Sequence, residues 1–423
     1  MKKGVIGALV LLLVLGSVAH AETLHVYWHI PSSRNMTGET VEAFLQSVGE
    51  RIGVDVEVHF ATGEPAVEAM FMLSTGVRLD VALYTHPDMV YNGMLEPLDE
   101  YIARDGNDIL DQYILPVLMN SEWNYQGKLY ALPTSRNHFV LVWNKDQFNM
   151  RGIAEPPSTW DESAGWTWEY ITEIAPKLTR DRTGDGVPDY FGFSGMGWNL
   201  IWPGYYGIDF ADENGNPTIN TPEMRQVLQF FVDFVNSPFY GGTAPNDWYP
   251  AGVFENNAAM GLVGSWDYHA VAARSELDLA PSPMGTQFST INFVDGMGIF
   301  ATSQHKELAW RFIKEMASLE TSTEFFLKGS GWTLPHKDGW MPLLDYRRSE
   351  FGDNVTEKHI SIIFNAGNYG YIPRPFRDLR WRDIGWTQYI EGPLFDQVIP
   401  GTLPVASWLE EAQRIISNHL EQY

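Results

Sequence analysis

The 423-residue sequence contains no cysteine. Disulfides are therefore excluded, and the core must hold the fold together without covalent cross-links. The cysteine that bacterial lipoproteins acylate just after their export signal is also missing. We therefore expect a free periplasmic or secreted protein and not a lipid-anchored one.

Basic residues are scarce, with 28 Lys and Arg against 53 Asp and Glu, which gives a net charge of −25. Such a surface repels nucleic acid and anionic lipid headgroups, and no basic run offsets it. Neither is expected as a partner. Solubility after export explains the acidity without a specific acidic function.

Long apolar runs are also scarce. One at residues 5–15 follows Lys2 and Lys3 and precedes Ala19-His20-Ala21, a small-x-small cleavage site. This pattern predicts a signal peptide over residues 1–21, because the run is too short for a transmembrane helix.

The remaining chain is long enough for two domains and, with 44% hydrophobic and 14% aromatic residues, has a globular composition. Its first part alternates as strand, helix and strand at 23–28, 41–52 and 54–60. A helix at 64–75 and a buried strand at 79–84 follow. This order predicts an α/β domain with a parallel sheet.

The α/β pattern of the first part is interrupted in the middle of the chain and returns after residue 281. That course predicts a chain that leaves one domain, builds a second and crosses back. The periodicity predicts strands at 127–133, 139–143 and 298–302, and helices at 167–178, 222–235, 256–263, 306–319 and 407–420.

Several segments, taken in order, resemble one family. They are LYALPTSRNHFVLVWNKDQF with PPSTWDE, FENNAAMGLVGSWDYHAV, LDLAPSPMG, GMGIFAT with KELAWRFIKEMAS, and STGVRLDVALYTHPDMVYNGMLEPLDEYI. The chain resembles bacterial extracellular solute-binding proteins of the sugar-binding group typified by maltose-binding protein. It departs from the usual Pro-Asp of that family at Leu79-Asp80.

The resemblance implies a two-lobed type II periplasmic-binding-protein fold, α/β in class, in which each lobe is a mixed sheet flanked by helices. The N-terminal lobe would take 22–134 and 290–335. The C-terminal lobe would take 138–285 and 339–423, with the tail helix able to pack across both. Hinges are expected near 134–137, 285–292 and 334–339.

The same resemblance implies a monomer that closes on a carbohydrate and delivers it to the permease subunits of an ABC transporter. An oligosaccharide is expected because tryptophan is abundant, although the sequence does not identify the sugar. A carbohydrate-sensing partner of a membrane receptor would use the same fold and stays an alternative.

Polar and aromatic residues follow the predicted parallel strands at the edge where open sheets bind ligands. Tyr84, His86 and Asp88 follow the third strand, and Ser33, with Ser32 and Arg34, follows the first. His86 could equally be a surface turn residue. By the resemblance, Asn137 in the first hinge contacts ligand.

The second lobe offers aromatic stacking candidates. Trp266 matches the Gly-Ser-Trp whose ring stacks on sugar in the family, although it could instead anchor the lobe. Trp198 and Trp202 lie in a glycine-rich loop. Their i, i+4 spacing means that one could instead be core, and Trp198 is the first choice for ligand contact. The other candidates are Trp332, Trp386 and Arg382, with Arg380 either binding hydroxyls or forming an ion pair.

No motif of a catalytic site is present. Gly-x-Ser-x-Gly, His-Glu-x-x-His and a phosphate-binding glycine loop are all absent. His86, His138, His269, His305 and His336 are scattered, so a histidine metal site is not expected. A glycoside hydrolase stays the competing class, because the many acidic residues guarantee spurious carboxylate pairs.

The stretch DRTGDGVPDYFGF at 181–193 matches the first half of a calcium loop. Its oxygen donors would be Asp181, Thr183, Asp185, the Val187 carbonyl and Asp189. Gly192 stands where an EF-hand has its bidentate glutamate, so the alternative is an acidic turn. We expect a structural calcium ion that steadies the second lobe.

Overall fold

The computed structural model describes residues 22–29, 36–105, 108–114, 123–161, 165–196, 201–242, 250–382 and 387–422. The predicted signal peptide lies outside this part of the chain. Within it, none of the helices combines the length and the apolar character that crossing a bilayer requires.

The strands form two main sheets and two small ones. In chain order they are β1 (Thr23–His29), β2 (Asp55–Ala61), β3 (Val81–Ala82), β4 (Asn124–Tyr125), β5 (Lys128–Leu129), β6 (Leu132–Pro133), β7 (Phe139–Asn144), β8 (Met260–Gly264), β9 (Leu277–Ala280), β10 (Thr290–Ile291), β11 (Gly296–Ile299) and β12 (Gly370–Tyr371).

The first main sheet has the strand order β2-β1-β3-β11-β6. Strands β1, β2 and β3 are parallel, and β11 runs antiparallel to both of its neighbours. The second main sheet has the order β8-β7-β9 and is antiparallel. Both sheets are therefore reached by a chain that crosses between them more than once.

Helices pack against these sheets. The α-helices are Gly38–Ile52, Pro65–Ser74, Pro87–Tyr91, Asp99–Asp105, Asp108–Asp111, Lys145–Arg151, Trp168–Leu178, Trp202–Tyr205, Pro222–Val235, Ala251–Phe254, Tyr268–Ala272, Lys306–Met316, Leu319–Ser322, Trp340–Phe351, Glu357–Ala366, Leu379–Arg382 and Val405–Leu420.

Short polar side chains begin several of these helices. The Thr37 hydroxyl accepts the Thr40 N–H at 3.3 Å, and Thr167 does the same for Tyr170 at 3.1 Å. Gly53 ends the first helix with φ of 76°, a conformation that glycine adopts without a Cβ clash. Local sequence therefore fixes these helix ends.

The core divides at the second sheet, because successive side chains of β7 point to opposite faces of that sheet. Val140 and Val142 face a cluster that continues into the first sheet, whereas Phe139, Leu141 and Trp143 face a second cluster. All five side chains are buried. One strand thus supplies two cores, which requires an apolar residue at every position.

One predicted helix, at 256–263, is wrong. Met260–Gly264 is instead strand β8, paired with β7 over its whole length. A short apolar run fits either structure, and the pairing partner decides. The predicted strand at 79–84 is shorter than expected, since only Val81 and Ala82 pair as strand β3.

Candidate functional site

The chain crossings between the two sheets meet at Asn137. Its backbone exchanges two hydrogen bonds with Phe293, at 2.8 and 2.9 Å. Its side-chain oxygen accepts from the Ser265 hydroxyl and from the Thr333 N–H, both at 3.2 Å. One residue therefore joins the first crossing to the second, to the third and to the end of β8.

The ligand contact predicted for Asn137 stays a prediction, and only its amide nitrogen could make it. The residue is 3% exposed, and its amide oxygen already accepts from two donors. A carbonyl oxygen has two lone pairs, so none is left for a ligand hydroxyl. We assign the amide oxygen of Asn137 to the hinge.

Arg136 and His138 on either side are fully buried. Arg136 donates to the carbonyls of Leu334 (3.3 Å) and Phe364 (2.7 Å) and lies over the Phe364 ring. Burial lowers the pKa of Arg136 to about 9 and that of His138 to about 3. These side chains brace the hinge from inside and do not reach a ligand.

Tyr84 and Asp295 come together at the ends of β3 and β11. The Tyr84 hydroxyl donates to the Asp295 carboxylate, and Ser135 donates to the same group at 2.6 Å. The Tyr84 ring also stacks on His29 at 5.2 Å and 25°. The predicted residue Tyr84 therefore holds a carboxylate in place at the edge where parallel strands end.

The Asp295 carboxylate has a shifted pKa. Burial raises the pKa of Asp295 to about 6. Hydrogen bonds from Ser135 and Tyr84 and the charge of His86 act in the opposite direction but are weaker. The residue still keeps part of its surface open to solvent. Asp295, Tyr84 and Ser135 thus form a hydrogen-bonded polar group, called the Asp295 crevice below, at the edge where the parallel strands end.

Sequence analysis missed Asp295. It stands in NFVDGMG, within the crossing from Phe293 to β11, where no motif marks it. Its one distinguishing feature in the sequence is that it is a charged residue within an otherwise apolar crossing. Charged residues are rarely buried without a partner.

His86 lies close enough to this carboxylate for its charge to act on it, and it pairs with Asp88. Nδ1 of His86 is 3.0 Å from Oδ1 of Asp88, and His86 also caps the helix Pro87–Tyr91. Their side chains are 40% and 34% exposed. Both predicted residues therefore present polar atoms at the rim of the crevice while bonded to each other.

Trp332 packs beside Tyr84 in the core of the first sheet. Its ring lies 6.3 Å from Tyr84 and stacks parallel on Phe326, at 5.8 Å and 4°. It is 7% exposed, so one face is used for packing. Trp332 is therefore mainly a core residue, and little of its surface is left for a ligand.

Trp266 lies directly over Gly264. A Cβ at position 264 would come within 2.3 Å of the indole, so only glycine admits the ring there. Phe139 and Phe293 meet the ring edge-on at 5.5 and 5.6 Å. The half-buried indole is thus fixed in position before any ligand arrives.

Trp266 lines a cavity of about 440 Å³, together with Asp267, His269, Gly331, Arg347, Glu350 and Phe351. Arg347 is buried, and it donates to the Gly331 carbonyl at 3.0 Å and to Glu350 at 3.2 Å. Burial lowers the pKa of this guanidinium. An aromatic ring beside a charged pair suits a ligand with apolar faces and hydroxyl groups.

Trp202 corrects one prediction. It has no exposed surface and packs against Trp168, Phe231 and Phe234 in the second core. The ring has no free face for a sugar, so it is a core residue. The i, i+4 spacing from Trp198 could not tell which ring points inward.

Other predicted contacts cannot be placed. Ser33, with Ser32 and Arg34, and also Trp198 and Trp386 lie outside the described residues. Arg382 ends the helix Leu379–Arg382, but its side chain lies outside the described part. Arg380 is ion-paired with Asp378 at 2.5 Å, which matches the ion-pair alternative.

The acidic loop at 181–189 is closed on itself. Asp181 accepts the N–H groups of Gly184 (2.5 Å) and Gly186 (2.6 Å), which lower its pKa. Asp189 accepts from the backbone and the guanidinium of Arg182, both at 3.0 Å. Both carboxylates are therefore occupied by donors within the loop.

The fit of this loop to calcium is incomplete. Among the residues that the structure describes, Asp181, Asp185 and Asp189 do not form a group whose ligand atoms lie within 4.8 Å of one another. Calcium prefers six or more oxygens, so the ion would have to displace Arg182 from Asp189. The donor types fit, but their present arrangement is that of an acidic turn.

Comparison with known proteins gives a consistent match. Residues 38–321 match the family model of bacterial extracellular solute-binding proteins. The maltotriose-binding protein of Pyrococcus abyssi is 24% identical over 317 residues, which cover 68% of this chain and 61% of that protein. The chain thus aligns with less than two thirds of that relative.

Two solved structures share the fold. An ABC substrate-binding protein from Listeria monocytogenes, in complex with cycloalternan, has a TM-score of 0.72 and 19% identity, covering 94% of this chain and 98% of that chain. A receptor of Streptomyces glaucescens, solved unliganded and with acarbose, has a TM-score of 0.72 and 18% identity, covering 95% and 99%. The predicted two-lobed α/β fold is confirmed.

Proposed function

Because the chain belongs to the bacterial extracellular solute-binding protein family, a family of binding proteins and not of enzymes, we propose that it captures a carbohydrate between its lobes and delivers it to the permease of an ABC importer. The observation that carries this proposal is the Trp266 indole, held over Gly264 on the wall of the 440 Å³ cavity. An oligosaccharide suits both the cavity and the names of the relatives.

Two kinds of contact would select the sugar. The indole face of Trp266 offers apolar area to the C–H face of a sugar ring. Glu350 and Arg347 in the cavity and Asp295 in the crevice can read hydroxyl positions. A sugar that leaves a polar group unpaired in the closed cleft loses about 1–3 kcal/mol of binding free energy, which supports selectivity.

Hinge closure would couple the two walls. A ligand that touches both lobes binds the closed form more tightly and shifts the population toward it. Asn137 supports this role, because it holds the crossings together while the Ser265 bond places Trp266 beside them. Closure would then bring the Trp266 wall toward Tyr84 and His86.

The finer expectations form part of the same proposal. A signal peptide at residues 1–21, a periplasmic location, a monomeric state and a calcium ion in the 181–189 loop all accord with an exported binding protein. The oxygen donors of that loop support calcium, whereas the Arg182 pairing opposes it. Calcium would stabilise the second lobe near this loop and would leave the sugar specificity unchanged.

A melting-temperature screen tests the function. The protein is heated with a panel of mono- and oligosaccharides, and each sugar is then recovered and sized by chromatography. A ligand at 100 times its Kd adds about 2.7 kcal/mol to the stability of the folded state, so a binder raises Tm. The proposal requires at least one carbohydrate that raises Tm and is recovered intact.

The same experiment addresses the competing class. Cleavage of the stabilising oligosaccharide would indicate a glycoside hydrolase, which needs an acid and a second carboxylate flanking the bond. Absence of any shift across the panel would contradict carbohydrate binding. A role as receptor partner would preserve binding but would need a membrane protein other than the importer.

A further inference from the structure

Two histidines and a glutamate meet on the outer edge of the first sheet. Strand β2 is an edge strand, and its register with β1 pairs His25 with Glu57 and Tyr27 with His59. Side chains two residues apart on a strand share a face. His25, Glu57 and His59 therefore project on the same side of adjacent strands.

Their ligand atoms converge. Nδ1 of His25 lies 2.9 Å from Nε2 of His59. Oε2 of Glu57 lies 3.7 Å from Nδ1 of His25, and Oε1 of Glu57 lies 3.6 Å from Nε2 of His59. Among the residues that the structure describes, these are the three side chains of the His, Cys, Asp and Glu types whose ligand atoms all lie within 4.8 Å of one another.

The spacing is close to that of a tetrahedral metal site. Bonds of about 2.0–2.1 Å at tetrahedral angles place ligand atoms about 3.3 Å apart. The two nitrogens would separate by about 0.4 Å, and the carboxylate would approach by a similar amount. The imidazole rings already stack, with centroids 5.2 Å apart, so a small rotation of each ring is sufficient.

The surroundings are those of a binding site at a surface. The side chains of His25 and His59 are 16% and 17% exposed, whereas Glu57 is 58% exposed. The open side at Glu57 leaves a fourth position for water.

We propose that His25, Glu57 and His59 form a binding site for a divalent transition-metal cation of the zinc class. Imidazole nitrogens with one carboxylate suit Zn²⁺, Cu²⁺ or Ni²⁺ better than calcium, which takes oxygen ligands. The site is about 13 Å along β1 from His29, the residue that stacks on Tyr84. Metal bound there clamps the edge strand β2 to β1 and stands apart from sugar capture.

Zinc titration of the tag-free protein by calorimetry tests this site, with His25→Gln, His59→Gln and Glu57→Gln as variants. We expect one Zn²⁺ per chain and a loss of about 10–100-fold or more in affinity for each histidine variant, since even an outer-shell partner is worth that much. His305→Gln is the control, because His305 faces a single carboxylate, Glu22, and no second histidine.

Spectroscopy separates metal coordination from a structural effect. Cu²⁺ bound to the wild-type protein should show hyperfine coupling to two nitrogens, and Glu57→Gln should keep that coupling while weakening affinity. Glu57 is exposed, so its replacement preserves the fold even where a histidine variant does not. No zinc binding by the wild-type protein, no nitrogen coupling, or equal affinity in Glu57→Gln would overturn the proposal.

Discussion

The Ser265 hydroxyl donates a 3.2 Å hydrogen bond to the amide oxygen of Asn137. Ser265 immediately precedes Trp266, and Asn137 lies in the first crossing. The position of the Trp266 indole is therefore tied to the chain crossing at Asn137. If this crossing is a hinge and Trp266 contacts the ligand, as proposed, a change at the hinge should reach the ligand through this bond.

Replacing Asn137 by alanine should lower the free energy of unfolding by about 1–3 kcal/mol, because the buried Thr333 N–H loses its acceptor. Urea denaturation measures the change. The control Asn92→Ala removes an exposed asparagine that bonds only within its own helix end, and should stay within about 0.5 kcal/mol. Equal effects of the two variants would refute a special role for Asn137.

Gly367→Ala should destabilise the hinge brace. A Cβ at this position would lie 2.2 Å from Nη1 of the buried Arg136, and overpacking of that kind costs about 1–3 kcal/mol. Gly38→Ala is the matched control, since its Cβ would meet nothing closer than Phe60 at 3.7 Å. Thermal melts of both variants compare them, and an unchanged Tm for Gly367→Ala would show that Arg136 moves freely.

Asp295 should make stability depend on pH. Its pKa is raised from 3.8 to about 6 by burial, so the folded state holds this proton more tightly than the unfolded state. The stabilisation is full below about pH 4 and is lost as pH rises through 6, by at most about 3 kcal/mol. Unfolding of wild type and Asp295→Asn between pH 4 and 8 checks the slope.

The expected result is that the wild type loses stability relative to Asp295→Asn as pH rises across this window. Asp345→Asn serves as control, because it removes one exposed carboxylate of the same charge. Parallel profiles for wild type and Asp295→Asn would mean that the Asp295 carboxylate is not held in an environment that favours its protonated form.

Much of the fold could be predicted from periodicity and chain order. The strand, helix and strand opening and the helices at Pro222–Val235 and Val405–Leu420 follow from local patterns. The 256–263 segment could not be predicted, because a short apolar run is assigned only by its pairing partner. Pairing between distant segments is not encoded locally.

The site was harder to predict for the same reason. Tyr84 and Trp266 are candidates because of strand ends and the family resemblance, and they stay predictions, whereas Asp295 has no local motif. Trp202 was misplaced, since a tryptophan among glycines looks exposed until the core aromatics around it are known. The His25 and His59 pair arises only from the parallel register of β1 and β2, which brings residues 34 positions apart into contact.

The acidic loop offers a separate prediction. If calcium binds at 181–189, a chelator should lower Tm and leave the order of sugar affinities unchanged, because the ion steadies the lobe and does not touch ligand. Asp181→Asn should remove the chelator effect. An identical melt with and without chelator would leave the loop as the acidic turn that the Arg182 and Asp189 pair forms without metal.

Sugar binding at Trp266 is the central claim, and calorimetric titration of the stabilising oligosaccharide into wild type and Trp266→Ala tests it most directly. Loss of the stacking face should weaken binding by about 1–3 kcal/mol, on the scale of other aromatic side chains at binding sites. Phe71→Ala, which removes an aromatic ring that is 67% exposed on the helix Pro65–Ser74, should bind like wild type. Wild-type affinity in Trp266→Ala, with its fold intact by circular dichroism, would contradict the proposed site.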